Sequence, residues 1–133
     1  GLEAETGAVT VVYGHNDLLA GNIMEDGARL WLIDWDYAGF NTPLFDLANL
    51  ASNNELEREQ ERFLLERYFG VPPSAALWRQ HSAMKCASLL RETMWGMVSE
   101  IHSVLDVDFA AYTVENLARF ERALARHRAL ERP

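Results

Sequence analysis

The stretch HNDLLAGN at residues 15–22 lies between two short apolar runs, at residues 9–13 and 30–33. Each run is rich in β-branched or large apolar residues and is short enough to form a single strand. The second run ends abruptly on Asp34. This order predicts a strand, a polar loop at residues 14–27 and a second strand, which places the stretch and Asp34 at one edge of the fold.

Two shorter helices are predicted after the second strand. Apolar residues take up helical spacing behind Asn41 and Thr42, either of which can cap a helix. Asn54 and Glu57, three residues apart, resemble a capping box that would begin the second helix. That helix should end at Gly70, which precedes a Val-Pro-Pro breaker.

The remaining sequence predicts two longer helices. From Ser74 helical spacing continues for nearly thirty residues, and Gly96 is the place where this helix could bend. Asp106 or Asp108 can cap a fourth helix with an Arg-rich, frayed end. Residues 1–133 are therefore expected to form a single domain of class α+β, predominantly α, with short strands and about four helices.

Composition excludes several classes of protein. The formal net charge is −8, and residues 1–57 carry ten acids against one base, Arg29. Such a surface repels nucleic acid and attracts cations, although a merely solvated acidic face would have the same composition. No apolar stretch is long enough to cross a membrane. The lone Cys86 has no second thiol for a disulfide, so we expect a reducing, cytoplasmic setting.

Three oxygen-bearing side chains can meet at the predicted edge. Asp17 and Asn22 lie five positions apart in the loop, and Asp34 ends the second strand. Phosphoryl transfer needs a carboxylate at the acceptor hydroxyl and oxygen ligands for magnesium, which predicts Asp17 as the base and Asn22 and Asp34 as metal ligands. Asp and Asn are also common turn formers, and Asp34 could instead cap a strand end.

At these residues the sequence resembles the choline and ethanolamine kinases and the related aminoglycoside phosphotransferases. Residues 15–22 are similar to the catalytic-loop pattern H-x-D-x-x-x-x-N. Residues 33–38, IDWDYA, resemble the metal-binding segment, and residues 45–49, FDLAN, resemble the motif that follows it. The resemblance implies the C-terminal lobe of a protein-kinase-like fold, which uses ATP and Mg²⁺.

The resemblance also implies roles for neighbouring residues. His15 would brace the catalytic loop rather than transfer protons, and Asp46 would hold the same loop through backbone hydrogen bonds. Asp36 would contact a second metal ion or the acceptor, with a solvated turn acid as the alternative. The family's N-terminal lobe, with its glycine-containing loop and strand lysine, has no counterpart here, since Lys85 is the only lysine and lies within a helix. We therefore expect the chain to have been cut or processed before Gly1, and to be inactive alone.

The acceptor is expected to be a small cationic molecule of the choline or ethanolamine kind. Trp95 matches one family ring that holds a quaternary ammonium, and Tyr37 could supply another face. The family's second tryptophan is Val98 here, and its expected acid is Asn53. Trp95 could also be ordinary core packing.

Other functions stay open at this point. An aminoglycoside or amino-sugar phosphotransferase is the first alternative, with Glu92 and Glu100 as candidate acids. A pseudokinase-like binding module and a purely structural helical domain are the others. ATP, the acceptor and the absent lobe are the expected partners, and a second copy of the chain is an open alternative.

Overall fold

The structure is a computed structural model that describes residues 10–130. Its first part contains four short strands and one 3-10 turn: β1 (Val12–Gly14), the turn (Ala20–Asn22), β2 (Ile23–Glu25), β3 (Leu30–Leu32) and β4 (Gly39–Asn41). Four helices follow: α1 (Pro43–Asn53), α2 (Arg58–Phe69), α3 (Ala75–His102) and α4 (Phe109–Ala129). The predicted class, α+β and predominantly α, is confirmed.

The strands form two separate antiparallel ribbons rather than one sheet. β1 pairs with β4, with Tyr13 opposite Phe40, and β2 pairs with β3, with Met24 opposite Trp31. The prediction of two strands was therefore incomplete. The loop predicted at residues 14–27 contains the 3-10 turn and β2, and residue 9 of the first predicted strand lies outside the described residues. Three-residue strands carry too few side chains for a visible alternation.

The first helix begins at a predicted cap, whereas the second begins at a different signal from the one predicted. Thr42 caps α1 by accepting a hydrogen bond from the Leu44 amide at 3.3 Å. The predicted capping box at Asn54 is wrong, because Glu57 caps α2 and forms a reciprocal box with Gln60. Asn54 instead ends α1 and turns its carboxamide toward the loop at residues 18–20.

The two long helices pack closely where α3 carries Gly96. Ser74 caps α3 and Asp108 caps α4, each through a side-chain oxygen. A Cβ atom at position 96 would lie 2.5 Å from Thr113 Oγ1 of α4, so this glycine permits close approach in an unbroken α3. The frayed end predicted for α4 is wrong, since the helix continues to Ala129 and buries His127.

The core lies where α1, α2 and α3 meet. Its buried apolar cluster is Leu44, Leu47, Ala48, Leu65 and Met84. Removing the apolar surface of these side chains from water favours the folded state. α1 is thereby held against α3, and the side chains of α1 that face away from the core reach the loop between β1 and the 3-10 turn.

Candidate active site

Asp46, in the first turn of α1, fastens the loop that contains Asp17. Its two carboxylate oxygens accept hydrogen bonds from the amides of His15 (2.8 Å) and Asn16 (2.7 Å). The carboxylate sits so close to the chain that a Cβ at Gly14 would lie 2.8 Å from Asp46 Oδ2. Hydrogen bonds to an ionised acceptor are among the stronger ones in proteins, so this pair fixes the start of the loop.

Both ring nitrogens of His15 form hydrogen bonds with main-chain groups of the protein. Its Nδ1 accepts from the Asp17 amide at 3.3 Å, which requires the proton on Nε2, where it is donated to the Ile33 carbonyl at 2.9 Å. The side chain is buried, and its ring lies 4.7 Å from the Trp35 ring. His15 therefore links the loop to the segment that carries Asp34, as expected of a bracing residue.

Two amide side chains, one within α1 and one at its C-terminal cap, hold the middle of the loop, and the sequence reasoning assigned neither of them to this role. Asn49 Oδ1 accepts from the Leu18 amide at 2.5 Å, and Asn54 Oδ1 accepts from the Ala20 amide at 2.8 Å. Asn49 is fully buried and donates to Ser88 of α3. The spacing of Asp46 and Asn49, which lie one turn apart among apolar residues of α1, was the available indication.

Asp17 and Asn22 are brought together as predicted from their spacing. Asn22 is buried, and its Nδ2 donates to the Asp17 carbonyl at 3.0 Å and lies 3.4 Å from Asp17 Oδ2. Within residues 10–130, Asn22 Oδ1 has no hydrogen-bond partner. Because amide oxygens are suitable ligands for Mg²⁺, this atom is available to a metal beside the carboxylate.

Asp34 lies next to this pair. The Ile33 amide donates to the Asn22 carbonyl at 3.0 Å, so the residue after Ile33 follows directly alongside the loop. Asp34 has a φ of 59°, a left-handed conformation that is uncommon for residues other than glycine and clusters at functional sites. Its carboxylate is exposed. Asp36 is exposed too, and in the described residues no hydrogen bond or ion pair joins it to Asp17 or Asn22.

The environment of Asp17 has opposing effects on its protonation. Burial raises the pKa of the Asp17 carboxyl above its ordinary value, and the nearby charge of Asp34 acts in the same direction. The charge of Arg91 and the hydrogen bond from Asn22 lower the pKa but do not fully compensate. A base for proton transfer benefits from a raised pKa because its affinity for the proton increases.

Arg91 of α3 also contacts the loop, and the sequence reasoning did not identify it. Its Nη1 donates to the Asn16 carbonyl, and its Nη2 lies 4.0 Å from Asp17 Oδ1. The guanidinium also lies over the Tyr37 ring, 4.9 Å from the centroid. An arginine amid the apolar pattern of α3, four residues before Trp95, was the available indication, because a charge on such a face needs a partner.

Trp95 and Tyr37 meet, whereas Asn53 stays apart from them. Trp95 Nε1 donates to the Tyr37 hydroxyl at 3.1 Å, and Trp95 is 40% exposed, which argues against plain core packing. The rings of Phe109 and Tyr112 lie edge-on to Trp95, each at 5.6 Å. In the described part of the chain no hydrogen bond joins Asn53 to this aromatic cluster.

Residues 10–130 contain neither a metal-binding cluster of acidic, histidine and cysteine side chains nor a membrane-spanning helix. In this range no three His, Cys, Asp or Glu side chains converge as a metal cluster, so the metal site predicted here depends on the Asn22 amide together with carboxylates. None of the helices described has the length and apolar content that a bilayer crossing requires. A groove of about 700 Å³ is lined by residues of all four helices and includes none of the predicted site residues.

The comparisons with known proteins agree with the motifs. The family model described as choline/ethanolamine kinase matches residues 4–64. Protein LicA of Haemophilus influenzae is 29% identical over 106 residues, which are 77% of this chain and 40% of that protein. Human ethanolamine kinase 2 is 29% identical over 143 residues, which cover 92% of this chain and 37% of the relative. The chain thus spans about two fifths of the length of these relatives.

Solved structures give the same result for the fold. A choline/ethanolamine kinase family protein from Mesorhizobium loti has a TM-score of 0.85 and 27% identity over 97% of this chain and 46% of its own. The choline kinase LicA from Streptococcus pneumoniae has a TM-score of 0.78 and 27% identity over 93% and 44%. The loop motifs, the family model and the fold therefore all support the choline/ethanolamine kinase family as the family of this chain.

Proposed function

We propose that this chain supplies the catalytic residues for ATP-dependent transfer of the γ-phosphoryl group to the hydroxyl of a small cationic acceptor, choline- or ethanolamine-like. One observation carries the proposal. Asp17 and Asn22 are hydrogen-bonded in a loop that Asp46 and His15 fix, and Asp34 lies beside them. In kinases, the C-terminal lobe supplies a base and two oxygen ligands for the metal in phosphoryl transfer.

In the proposed reaction Asp17 orients the acceptor hydroxyl and takes its proton. The acceptor oxygen then forms a bond to the γ-phosphorus as the bond from that phosphorus to the bridging oxygen breaks, so that ADP carries away the electron pair. Burial of Asp17 favours this role, because it raises the affinity of the carboxylate for the proton. Arg91 and Asn22 keep the carboxylate pointing into the site.

The donor set fits Mg²⁺ as the metal. Asn22 Oδ1 and the exposed Asp34 carboxylate are hard oxygen ligands, and Asp36 is proposed to contribute a second contact two residues later. Mg²⁺ would neutralise charge on the phosphates and orient them for in-line attack. Asn22 is held in place for this task by donating its Nδ2 to Asp17.

The ATP phosphates are proposed to be held by a lobe beyond this chain. Lys85, the only lysine, lies in α3 and is paired with the buried Glu61, so it does not reach the catalytic loop. The matched relatives are more than twice as long as the segment they share with this chain. We therefore expect residues 1–133 alone to be inactive or nearly so.

The test is Mg²⁺-dependent ADP release across choline, ethanolamine and an aminoglycoside panel, by this chain and by a protein that joins it to an ATP-binding lobe. We expect turnover of choline or ethanolamine only in the two-lobed protein. Asp17→Asn should remove most of that turnover while nucleotide binding persists, whereas Asp106→Asn, an exposed acid outside the site, should leave turnover unchanged. Undiminished turnover in Asp17→Asn would refute the base, and turnover of no acceptor would refute the function.

A further inference from the structure

A groove among the four helices is separate from the catalytic loop. Its volume of about 700 Å³ is within the usual range for pockets that hold small molecules. Every helix contributes to its lining, whereas Asp17, Asn22 and Asp34 do not. This cavity, called the helical groove below, can therefore hold a ligand without using the residues proposed for phosphoryl transfer.

The helical groove is basic although the chain as a whole is acidic. The net charge of the chain is −8, yet five of its twelve Lys and Arg side chains line this groove, against three acids. The basic residues are Arg58, Lys85, Arg119, Arg122 and Arg126, and the acids are Glu55, Glu57 and Glu61. A concave surface with an excess of positive charge attracts anions.

The three acids are already engaged within the protein. Glu61 is paired with Lys85, and Glu55 Oε1 lies 3.4 Å from Arg119 Nε. Glu57 uses its carboxylate to cap α2 and, in the described residues, forms no ion pair with a base of the groove. The acids of the groove therefore neutralise only two of its five bases.

The other three bases, Arg58, Arg122 and Arg126, have unused donors. Within residues 10–130 their guanidinium groups form no ion pair and donate no hydrogen bond. The Arg58 guanidinium lies over the Trp78 ring, 5.1 Å from its centroid. Contact with a ring uses the face of a guanidinium and leaves the N–H groups in its plane available to a ligand.

Arg122 and Arg126 lie one turn apart on α4, so their side chains share one face of the helix. Two like charges at this spacing repel each other. An anion bound by both side chains would replace this repulsion with attraction. Each guanidinium also presents paired N–H groups that match two oxygens of one phosphate group.

His81 provides an independent indication of a polar ligand. It lines the groove and is 1% exposed, and its Nε2 lies 3.0 Å from Glu61 Oε2. Its Nδ1 has no hydrogen-bond partner in the described part of the chain. Buried polar atoms are nearly always paired in folded proteins. When the ring carries both protons, Nδ1 can donate to an anion while Nε2 donates to Glu61.

We propose that the helical groove is a second binding site, which takes a small soluble polyanion of the phosphate-ester class. The three unpaired arginines bind its phosphate oxygens, and Lys85 and His81 lie in the same groove. Phosphate groups suit this site because each carries more than one negative charge near neutral pH and accepts paired N–H donors. The site goes beyond the proposed catalysis and does not depend on it.

The experiment uses inorganic pyrophosphate as the probe. Isothermal titration calorimetry measures its binding to residues 1–133 in EDTA, which removes metal-dependent phosphate binding at Asn22 and Asp34. About 0.15 M NaCl screens the weak attraction of exposed charges. Citrate, a polyanion with carboxylates only, is titrated in parallel. In an NMR titration with pyrophosphate, the indole signal of Trp78 should shift and the amides of His15 and Asn16 should not.

The double variant Arg122→Gln/Arg126→Gln should weaken pyrophosphate binding by about tenfold or more, because two charge-assisted contacts are lost. The double variant Arg67→Gln/Arg128→Gln is the matched control. It removes the same charge at exposed positions in the last turns of α2 and α4, outside the groove, and should change the Kd by less than about twofold.

The double variant Arg122→Lys/Arg126→Lys keeps the charge without the paired donors, and it should retain part of the affinity. Circular dichroism and urea unfolding confirm that each variant is folded, which is expected because the replaced side chains are exposed. A loss of binding can then be assigned to the groove rather than to the fold.

Several results would overturn the inference. No binding of pyrophosphate to the wild type, or equal losses in the groove variant and the control, would show that the groove is not a phosphate site. Citrate binding as tight as that of pyrophosphate would refute the phosphate class. If light scattering shows that Arg122→Gln/Arg126→Gln changes the oligomeric state while pyrophosphate binding is unaltered, the groove is a protein interface and not a ligand site.

Discussion

The guanidinium of Arg91 donates a hydrogen bond to the main-chain carbonyl of Asn16, although 75 positions separate the two residues in the sequence. Asn16 has a left-handed φ of 62°, and its side chain donates to the Tyr37 carbonyl at 3.1 Å. It also accepts from Asn41 Nδ2 at 2.9 Å. Arg91 thus holds Asn16, which immediately precedes Asp17, and connects α3 to the loop at residues 15–22.

Replacing Arg91 with Met should shift the acid limb of the pH profile. The proposed base must be ionised, and the charge of Arg91 lowers the pKa of Asp17. Without this charge the pKa rises, so kcat/KM should begin to fall at a higher pH than in the wild type. Loss of the Asn16 contact should also lower kcat/KM by roughly 10- to 100-fold through misplacement of the loop.

An NMR titration of the Asp17 carboxyl group measures the expected rise of its pKa in Arg91→Met directly, without an activity assay. Arg91→Lys should reverse part of this rise, since the charge returns without the planar contact. Arg62→Met is the control, because Arg62 forms only an exposed pair with Glu59. An Asp17 titration curve that does not move in Arg91→Met would contradict the coupling.

The sequence predicted which loop residues come together better than it predicted the contacts that hold the loop. Asp17, Asn22 and Asp34 could be selected because a carboxylate and an amide five positions apart, followed by an acid after an apolar run, are local features. Arg91 could not be assigned a role, since its partner lies on another element. The strands were only partly predicted, because β1 pairs with the distant β4 and because strands of three residues give no readable period, even in the local β2–β3 hairpin.

Asp46→Asn should loosen the catalytic loop. An asparagine offers one oxygen in place of two, so the amide of His15 or that of Asn16 would face an NH₂ group. Losing one half-buried charge-assisted hydrogen bond costs about 1–3 kcal/mol of the free energy of unfolding. Hydrogen exchange should accelerate at the amides of His15 and Asn16, and urea unfolding should give the global loss.

Asp108→Asn is the matched control for that substitution. Asp108 caps α4, and asparagine caps helices as well as aspartate does, so stability should hardly change. If His15 and Asn16 exchange at the wild-type rate in Asp46→Asn, the carboxylate does not fasten the loop.

Glu61 should make stability depend on pH. The carboxylate is buried between His81, whose Nε2 lies 3.0 Å from Glu61 Oε2, and Lys85. Burial raises the pKa of Glu61, but the hydrogen bonds from His81 and Lys85 outweigh it, and the net pKa lies below the ordinary 4.5. The ionised Glu61 carboxylate therefore contributes its full share to the free energy of unfolding above about pH 4.5. This contribution is lost as the pH falls through the pKa of Glu61 in the folded state, which is lower than 4.5.

Glu61→Gln should accordingly cost about 3–5 kcal/mol near neutral pH, since removing one member of a buried pair leaves its partner uncompensated. The difference from wild type should shrink as the pH falls below the ordinary pKa of a glutamate, which urea titrations at several pH values would measure. Glu59→Gln removes an exposed ion pair and should cost less than about 1 kcal/mol. If the loss of stability in Glu61→Gln stays constant with pH, the ionisation of Glu61 is not coupled to folding.

The helical part was predicted more fully because its signals are local. Thr42, Ser74 and Asp108 cap helices near the expected positions, and Gly70 ends α2 with a φ of 74°. The prediction for Asn54 was wrong because an Asn three residues before a Glu resembles a capping box. Its carboxamide instead forms hydrogen bonds with the loop at residues 18–20. A polar residue with both a local and a distant partner available cannot be assigned from sequence alone.

Gly96→Ala provides a test in which local and tertiary effects have opposite signs. In an isolated helix, alanine would be favoured over glycine by about 1 kcal/mol. In the folded chain the new Cβ would lie 2.5 Å from Thr113 Oγ1 and 3.0 Å from Tyr112 Cδ1, so α3 and α4 must separate. We expect a net loss of about 1–3 kcal/mol in the free energy of unfolding, measured by urea denaturation.

Thr113→Ala should rescue part of that loss. It removes the nearest atom, and Thr113 Oγ1 is a buried hydroxyl without a hydrogen-bond partner in the described residues, so its deletion alone should cost little. The double variant should then be more stable than the sum of the single changes predicts. Gly39→Ala, where the added Cβ meets only Asn16 Nδ2 at 3.8 Å, is the control and should be nearly neutral. If Gly96→Ala instead raises stability, helix propensity outweighs packing, and position 96 does not set the distance between the two helices.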